Sequence, residues 1–341
     1  MKIIDGLDNR SIKSPLFLAL GNFDGVHRGH QAVIRSAVRQ ARDREGSSAA
    51  LLFDPHPAVL LRPQKQFCLL TEIDDRAALM GRLGLDYLFV EPFTPATAAT
   101  TADNFIREIL LKRIKIDGLS IGLDYSFGRG GTGTGELLRQ QGDKWGFSVT
   151  VSPMEEDGGT VISSSAIKKL LEEGAVDRAA ALLNYYFFRR GKVVSGRGRG
   201  KKMLFPTANL DPGTGLAWPG SGVYLTVVGG LGEQIYFGVT NVGVKPTFGD
   251  RALSIETYII DFGGEIYGRE ITLYFLERLR DTENFPSPAH LRSQIEKDIA
   301  RSRRLALSRF GNIGDFVEPV RLINPLSPAP GAAGDQFYFY D

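Results

Sequence analysis

Two of the chain's four histidines, His27 and His30, stand three residues apart. They lie in the run Gly21-Asn22-Phe23-Asp24-Gly25-Val26-His27-Arg28-Gly29-His30. A short apolar run, Leu16 to Leu20, precedes it, and a helical pattern follows through about Arg42. A buried strand, a glycine-bearing turn and a helix start together make a phosphate site. Backbone N–H groups and the positive end of a helix dipole meet there, at the carboxyl end of the strand. Gly25 and Gly29 let the backbone come close to a ligand. Imidazoles donate hydrogen bonds to phosphate oxygens without a fixed charge. A capped turn with incidental histidines is the plain alternative.

Other clusters carry weaker signals. Asp54-Pro55-His56-Pro57 is by itself a rigid turn. Ser163, Ser164 and Ser165 can cap a helix that carries Ile167, Leu170 and Leu171 on one face. Gly128-Arg129-Gly130-Gly131-Thr132-Gly133 contains a bare GxGxxG, which makes a dinucleotide-binding protein a rival reading. That fingerprint normally sits in the first βαβ unit, a place the histidine run already holds. Ser195 to Lys202 is basic and glycine-rich, so it reads as a nucleic-acid contact, a solvated loop or a mobile lid over phosphates. Thr207 and Asn209 stand two apart, so on an extended segment both face one way. Their oxygens suit Mg²⁺ and phosphate, because Mg²⁺ prefers oxygen ligands. Glu256 lies inside the apolar strand Ile255 to Ile260 and by alternation shares a face with Tyr258 and Ile260. A carboxylate there is costly if buried unpaired. A strand with one wet face is the alternative.

Two kinds of element must position these groups. Strand-like stretches at Leu16–Leu20, Ala50–Phe53, Tyr87–Val90 and Leu119–Leu123 alternate with helical ones. The helical patterns start at Gly29, Asp75, Asp103 and Glu136. Such alternation argues for a parallel sheet with helices on both faces. Asp177 to Leu183 is a further short helix. From Val193 to Phe275 the pattern becomes short strands and glycine turns: Val223–Val228, Gln234–Val239, Ser254–Ile260 and Glu270–Phe275. That spacing suggests a small antiparallel barrel. Leu291, Ile295 and Ile299 mark a closing helix. The stretch from Asn324 to Asp341, with Pro325, Pro328 and Pro330, reads as a mobile tail.

Composition bounds the rest. The chain has 341 residues, 43% of them hydrophobic, enough for two domains. Net charge is 41 − 39 = +2, which gives no case for wholesale nucleic-acid or membrane binding. One cysteine, Cys68, excludes an intrachain disulfide and a cysteine-based zinc site and fits a reducing cytosol. The N-terminus does not read as a signal peptide, and no apolar run approaches the roughly 18–20 residues of a membrane span.

The histidine run resembles the HxGH nucleotidyltransferase signature. The longer string is similar to that of the bacterial bifunctional riboflavin kinase/FAD synthetases. Further motifs of that family follow in order. They are Phe53-Asp54-Pro55-His56-Pro57, Gly122-Leu123-Asp124-Tyr125-Ser126-Phe127-Gly128, Ser163 to Lys168 and Phe205-Pro206-Thr207-Ala208-Asn209. After these come Asn241 to Phe248, Ile255-Glu256-Thr257 and Arg280 to Phe285. The match covers about residues 15–305. Departures are Lys168 for the family arginine, Ser165 for threonine, Met203-Leu204 for Leu-Gly, and Asn184-Tyr185-Tyr186-Phe187 for Gly-Arg-Pro-Tyr. Lysine keeps the charge and loses the bidentate geometry.

The resemblance implies an α/β nucleotidyltransferase domain, Rossmann-like and of the HxGH type, over 1–183. A small antiparallel β-barrel flavokinase domain with a C-terminal helix follows over 184–312, then a tail over 313–341. It implies phosphorylation of riboflavin to FMN, then adenylylation of FMN to FAD with release of pyrophosphate. His27, His30 and Glu256 are the implied catalytic groups. Gly21, Asn22, Phe23, Asp24, Gly25, Gly29 and Asp124 would serve ATP in the first domain, with Ser163, Ser164, Ser165 and Lys168. Gly200, Lys201, Thr207 and Asn209 would serve ATP in the second, Thr207 and Asn209 also holding Mg²⁺. Asp54, Pro55, His56, Pro57, Tyr125 and Phe127 are implied flavin contacts of the first domain, and Arg280 and Glu283 of the second. The expected partners are ATP, riboflavin and FMN, with no nucleic acid or membrane, and the expected location is the cytoplasm. A single-function adenylyltransferase with a silent barrel, or a non-catalytic flavin-binding protein, are the alternatives.

Overall fold

The computed structural model describes residues 1–7, 12–64, 67–195, 206–232, 234–246 and 251–310. Chain contacts divide it into two compact units, 1–169 with 213–217, and 170–212 with 218–341.

The first unit is a six-stranded parallel sheet in the order β1-β4-β3-β2-β5-β6. The strands are β1 (Lys2–Asp5), β2 (Leu16–Leu20), β3 (Ser47–Asp54), β4 (Tyr87–Pro92), β5 (Gly118–Gly122) and β6 (Ser148–Ser152). All five residues of β2 are buried, as a central parallel strand covered on both faces requires. From β2 the chain steps to β3 on one side and later to β5 on the other. The topological switch point is therefore the crevice beyond the carboxyl ends of β2 and β5.

Helices α1 (Arg28–Asp43), α2 (Pro57–Leu61), α3 (Ile73–Arg82), α4 (Pro95–Ala98), α5 (Ala102–Asn104) and α6 (Gly135–Trp145) connect the strands. Helix α1 buries Val33, Ile34, Ala37, Val38 and Ala41, a stripe of helical period. After α5 the chain continues as a wider, π-helical stretch, Phe105–Ile114, where the expected feature was a plain helix from Asp103. Leu123, the expected strand end, falls one residue outside β5 and is exposed. A small hairpin, β7 (Glu156–Asp157) with β8 (Thr160–Val161), leads to α7 (Ser164–Glu172).

The second unit is a closed antiparallel barrel ordered β10-β13-β12-β11-β14-β9. Its strands are β9 (Phe188–Val194), β10 (Thr207–Leu210), β11 (Gly222–Gly229), β12 (Tyr236–Pro246), β13 (Arg251–Ile259) and β14 (Glu270–Arg280). Closure is made by β9 and β10, through Val194 opposite Asn209 and Val193 opposite Leu210. Helix α8 (Val176–Leu183) packs on β14, and α9 (Pro288–Phe310) closes the region. Three hydroxyls inside the barrel, Thr226, Thr240 and Thr257, bond in a chain at 2.8 and 2.9 Å, so each of these three buried oxygens has a partner. On α9 the expected stripe of Leu291, Ile295 and Ile299 is only half-buried, and Asp298 is buried instead. The cause is an ion pair, because Asp298 takes the guanidinium of Arg280 at 2.8 Å.

Candidate functional site

The turn between β2 and α1 is held in an unusual shape. Phe23 has φ 50°, Gly25 84° and Val26 37°, all left-handed. Left-handed non-glycine residues cost about 1–3 kcal/mol each and persist only where their surroundings fix them. Four groups fix them here. Asp24 Oδ1 accepts from the N–H of Leu70 at 2.7 Å and of Thr71 at 3.3 Å. The Gly25 N–H donates to Thr71 Oγ1 at 2.9 Å. Ser164 Oγ donates to the Asp24 carbonyl at 2.8 Å. Arg76 Nη1 donates to the Asn22 carbonyl at 3.2 Å. Gly25 thus spends its N–H inside the protein. Gly21 is needed because an added Cβ would press on the Phe23 ring at 3.1 Å.

His27 caps α1, its Nδ1 accepting from the His30 N–H at 3.4 Å. That acceptor role assigns the His27 proton to Nε2. The His27 and His30 rings stack with centroids 3.6 Å apart. His56 repeats the device at α2, accepting from the Ala58 N–H at 3.1 Å with Pro57 in the first helical turn. Lys168, on α7, places Nζ 2.7 Å from Asp24 Oδ2 and over the Phe67 ring. Ser163 caps α7 by accepting from the Ala166 N–H.

These groups surround a cavity of about 620 Å³ beyond the carboxyl ends of β2 and β5. Gly21, Asn22, Phe23, Asp24, Gly29 and both histidines form one wall. Ser163, Ser164, Ser165 and Lys168 form another, and Asp124, Tyr125 and Phe127 a third. His56 and Pro57 line the remaining side with Leu61, Phe67 and Phe93. Gly25, Asp54 and Pro55 do not line it. The Gly128–Gly133 run folds back on itself, Phe127 and Gly133 exchanging two backbone bonds. A Cβ on Gly133 would strike the Phe127 ring at 2.6 Å, so that glycine serves a turn.

Burial keeps all three histidines of the cavity neutral. It drives His27 down to about 4, against the pull of Asp24 and Asp124. It pushes His30 well below its ordinary value, with His27 and Arg76 adding to the effect. His56 falls to about 4 by burial, which Asp24 opposes and Arg76 and Lys168 reinforce. Between pH 6.5 and 4 the unfolded chain therefore binds protons that the folded chain refuses. This contribution to stability is full above pH 6.5 and is lost as pH falls, by up to about 1.4 kcal/mol per histidine per pH unit. Thermal unfolding followed at pH 7.5 and 5.5 should show a clearly lower midpoint at pH 5.5. A flat profile would mean that the histidines are solvated.

In the barrel, β10 sets Thr207 opposite Tyr258 and Asn209 opposite Glu256. Strand β12 sets Asn241 opposite Glu256 from the other side. Residues directly opposite in an antiparallel pair share a face, so Thr207, Asn209, Glu256 and Asn241 form one polar row. The alternate residues Ala208, Leu210, Ile255, Thr257 and Ile259 are buried. Glu256 is half-buried and accepts from Ser254 Oγ at 3.2 Å. Arg280 is held by Asp298 and stacks on Phe285, and Glu283 is exposed in the link to α9. Gly200, Lys201, Met203, Leu204 and the 313–341 tail lie outside the described residues.

Comparison with known proteins agrees with this two-part geometry. A family model for FAD synthetase matches residues 9–166, and one for riboflavin kinase matches residues 183–306. The bifunctional riboflavin kinase/FMN adenylyltransferase of Escherichia coli K12 is 35% identical over 306 residues, 89% of this chain and 97% of its own. That of Listeria monocytogenes is 37% identical over 288 residues, 84% of this chain and 91% of its own. The chain belongs to the bifunctional riboflavin kinase/FMN adenylyltransferase family. A crystal structure of a macrolide-efflux protein from Streptococcus pneumoniae also matches, with a TM-score of 0.81 at 31% identity. It covers 88% of this chain and 98% of that one. The likeness supports the fold. The efflux designation has no counterpart in the two matched enzyme families, and no described helix is long and apolar enough to cross a membrane.

Within the family frame, two residues escaped the reading of motifs as sites. Asn241 opens the Asn241–Phe248 motif, but only the strand register sets it beside Glu256. Arg76 had no motif of its own. It lies on α3, fully inside the protein, and only the fold carries it beneath the Gly21–Asp24 turn.

Proposed function

We propose that the two halves of the reaction sequence are carried by these two sites, within modules spanning 1–183 and 184–312. The enzyme phosphorylates riboflavin with ATP to give FMN, then joins FMN to the adenylyl group of a second ATP to give FAD and pyrophosphate. The observation that carries the assignment is the stacked His27–His30 pair, neutral and facing a cavity at the sheet's switch point.

In adenylyl transfer an FMN phosphate oxygen attacks the α-phosphorus of ATP, and the bond to pyrophosphate breaks. No covalent protein intermediate is needed. The chain's contribution is positioning and fixed dipoles. His27 and His30 donate to the phosphate oxygens as charge builds, with the starts of α1 and α7 supplying further N–H groups. Lys168 leaves Asp24 for the phosphates, and Asp124 and the three serines orient ATP. His56, Pro57, Tyr125 and Phe127 shape the flavin side, and Asp54 and Pro55 act only through the turn that carries His56. Replacing Lys168 by methionine should raise the KM for ATP in adenylyl transfer about tenfold and leave the KM for ATP in the kinase reaction unchanged. An equal rise in both would remove Lys168 from this site.

In the barrel, Glu256 takes the proton of the ribityl 5′-hydroxyl as that oxygen attacks the γ-phosphorus, and ADP leaves. Thr207, Asn209 and Glu256 present hard oxygen donors in one row, a set that fits Mg²⁺. When bound, the ion would neutralise phosphate charge. Asn209 and Thr207 orient ATP, Gly200 and Lys201 complete its phosphate contacts, and Arg280 and Glu283 border the flavin. The working location is the cytoplasm, where ATP is supplied. The test is incubation with riboflavin, Mg²⁺ and ATP followed by chromatography. FMN and then FAD are expected; FAD from FMN but none from riboflavin would mean a silent barrel.

A further inference from the structure

Arg76 is a buried charge that the chemistry above does not use. It is 2% exposed on α3, with Asp75, itself 1% exposed, beside it. A buried guanidinium is costly unless it is paired and put to use. It does not line the cavity. It reaches upward instead, with Nη1 on the carbonyl of Asn22. Its Nε finds no acceptor among the described residues. Burial works against its charge, and the fields of Asp24, Asp54 and Asp75 oppose that effect.

The segment that carries it makes three other bonds to the same turn. Leu70 and Thr71 give their N–H groups to Asp24, and Thr71 takes the N–H of Gly25. Every one of these bonds falls between Asn22 and Gly25, where Phe23, Gly25 and Val26 sit at positive φ. His27 follows at once. Any relaxation of the turn therefore moves the His27 ring and, through the stack, His30.

We propose that Arg76 is a positioning residue for adenylyl transfer. It clamps the Asn22 carbonyl so that the strained turn presents the two imidazoles to the phosphates. The proposal rests on the assignment of the histidine pair to that reaction. Its energetic logic is that a displacement of about 1 Å at a reacting group costs on the order of 10²-fold in rate. The effect belongs in kcat more than in ATP binding, because the imidazoles act on charge that develops only as the bond to pyrophosphate breaks.

The test compares wild type, Arg76→Met and Arg76→Lys in the full chain. FMN adenylylation is measured as kcat and as KM for ATP, riboflavin phosphorylation by the same preparations serves as an internal reference, and thermal unfolding is followed. Arg76→Met should lower adenylylation kcat by on the order of 10²-fold, shift its KM for ATP far less and leave phosphorylation intact. Arg76→Lys keeps a donor of the same charge and should recover about tenfold of that loss. If Arg76→Met does not fold, Thr71→Val removes the neighbouring brace and should show the same loss of kcat. Unchanged adenylylation in Arg76→Met would overturn the proposal. So would a loss that merely tracks the unfolded fraction, or lysine doing no better than methionine. Absence of FAD with wild type itself would instead strike the assignment of the site.

Discussion

Replacing His30 by alanine should lower FAD formation from FMN by about 10²–10³-fold while riboflavin phosphorylation continues at its normal rate. The size follows from the site. His30 is half-buried, stacked on His27 and kept neutral, so it meets phosphate charge as a preorganised donor. Donors of that kind lose nothing to reorganisation when charge develops, which makes their removal expensive. The substitution also leaves a hole beside His27 and Phe23, whose rings pack on His30. Some loss of stability in the first unit will accompany it. Thermal unfolding of the first unit separates the two effects, since the barrel carries its own strands and would keep its kinase rate in either case. Equal loss of both activities would sink the two-site account.

The second large effect is at Glu256. Glutamine there keeps the size and the place in the polar row with Asn209 and Asn241, and removes the base. Phosphorylation of riboflavin should fall by about 10²–10⁴-fold, the usual worth of a positioned general base. FAD formation from supplied FMN should be unaffected. An unchanged kinase rate in Glu256→Gln would remove Glu256 as the base and leave the row a binding surface only.

Much of this arrangement is legible in the sequence. The all-apolar Leu16–Leu20 run reads as a central strand because a parallel strand buried on both faces has no polar alternation. The histidines and glycines after it mark the turn, and the register of Thr207 and Asn209 follows from a period of two. Glu256 sits half-buried on the wet face of an otherwise apolar strand, one of the two readings that its place in the pattern allows.

The parts that did not show are those that depend on distant residues. Strand β1 is four residues long and mostly exposed, and β6 is a partly exposed edge, so neither leaves a strong apolar signature. Asp298 interrupts the expected apolar face of α9 because its partner, Arg280, is eighteen positions away on a strand. Arg76 looks like any surface arginine of a helix start until α3 is folded under the phosphate turn. Asn241 gains its meaning only from lying opposite Glu256 across a strand pair.

The most direct test of two chemistries at two sites follows the phosphorus atoms. Wild-type enzyme is incubated with riboflavin and Mg²⁺ and either γ-labelled or α-labelled ATP, and the flavins are separated by chromatography. The account predicts that the γ label enters FMN and then FAD, whereas the α label enters FAD alone. In His30→Ala, γ-labelled FMN should accumulate and the α label should enter no flavin. An α label in FMN, or FAD formed from riboflavin without the γ label, would contradict it.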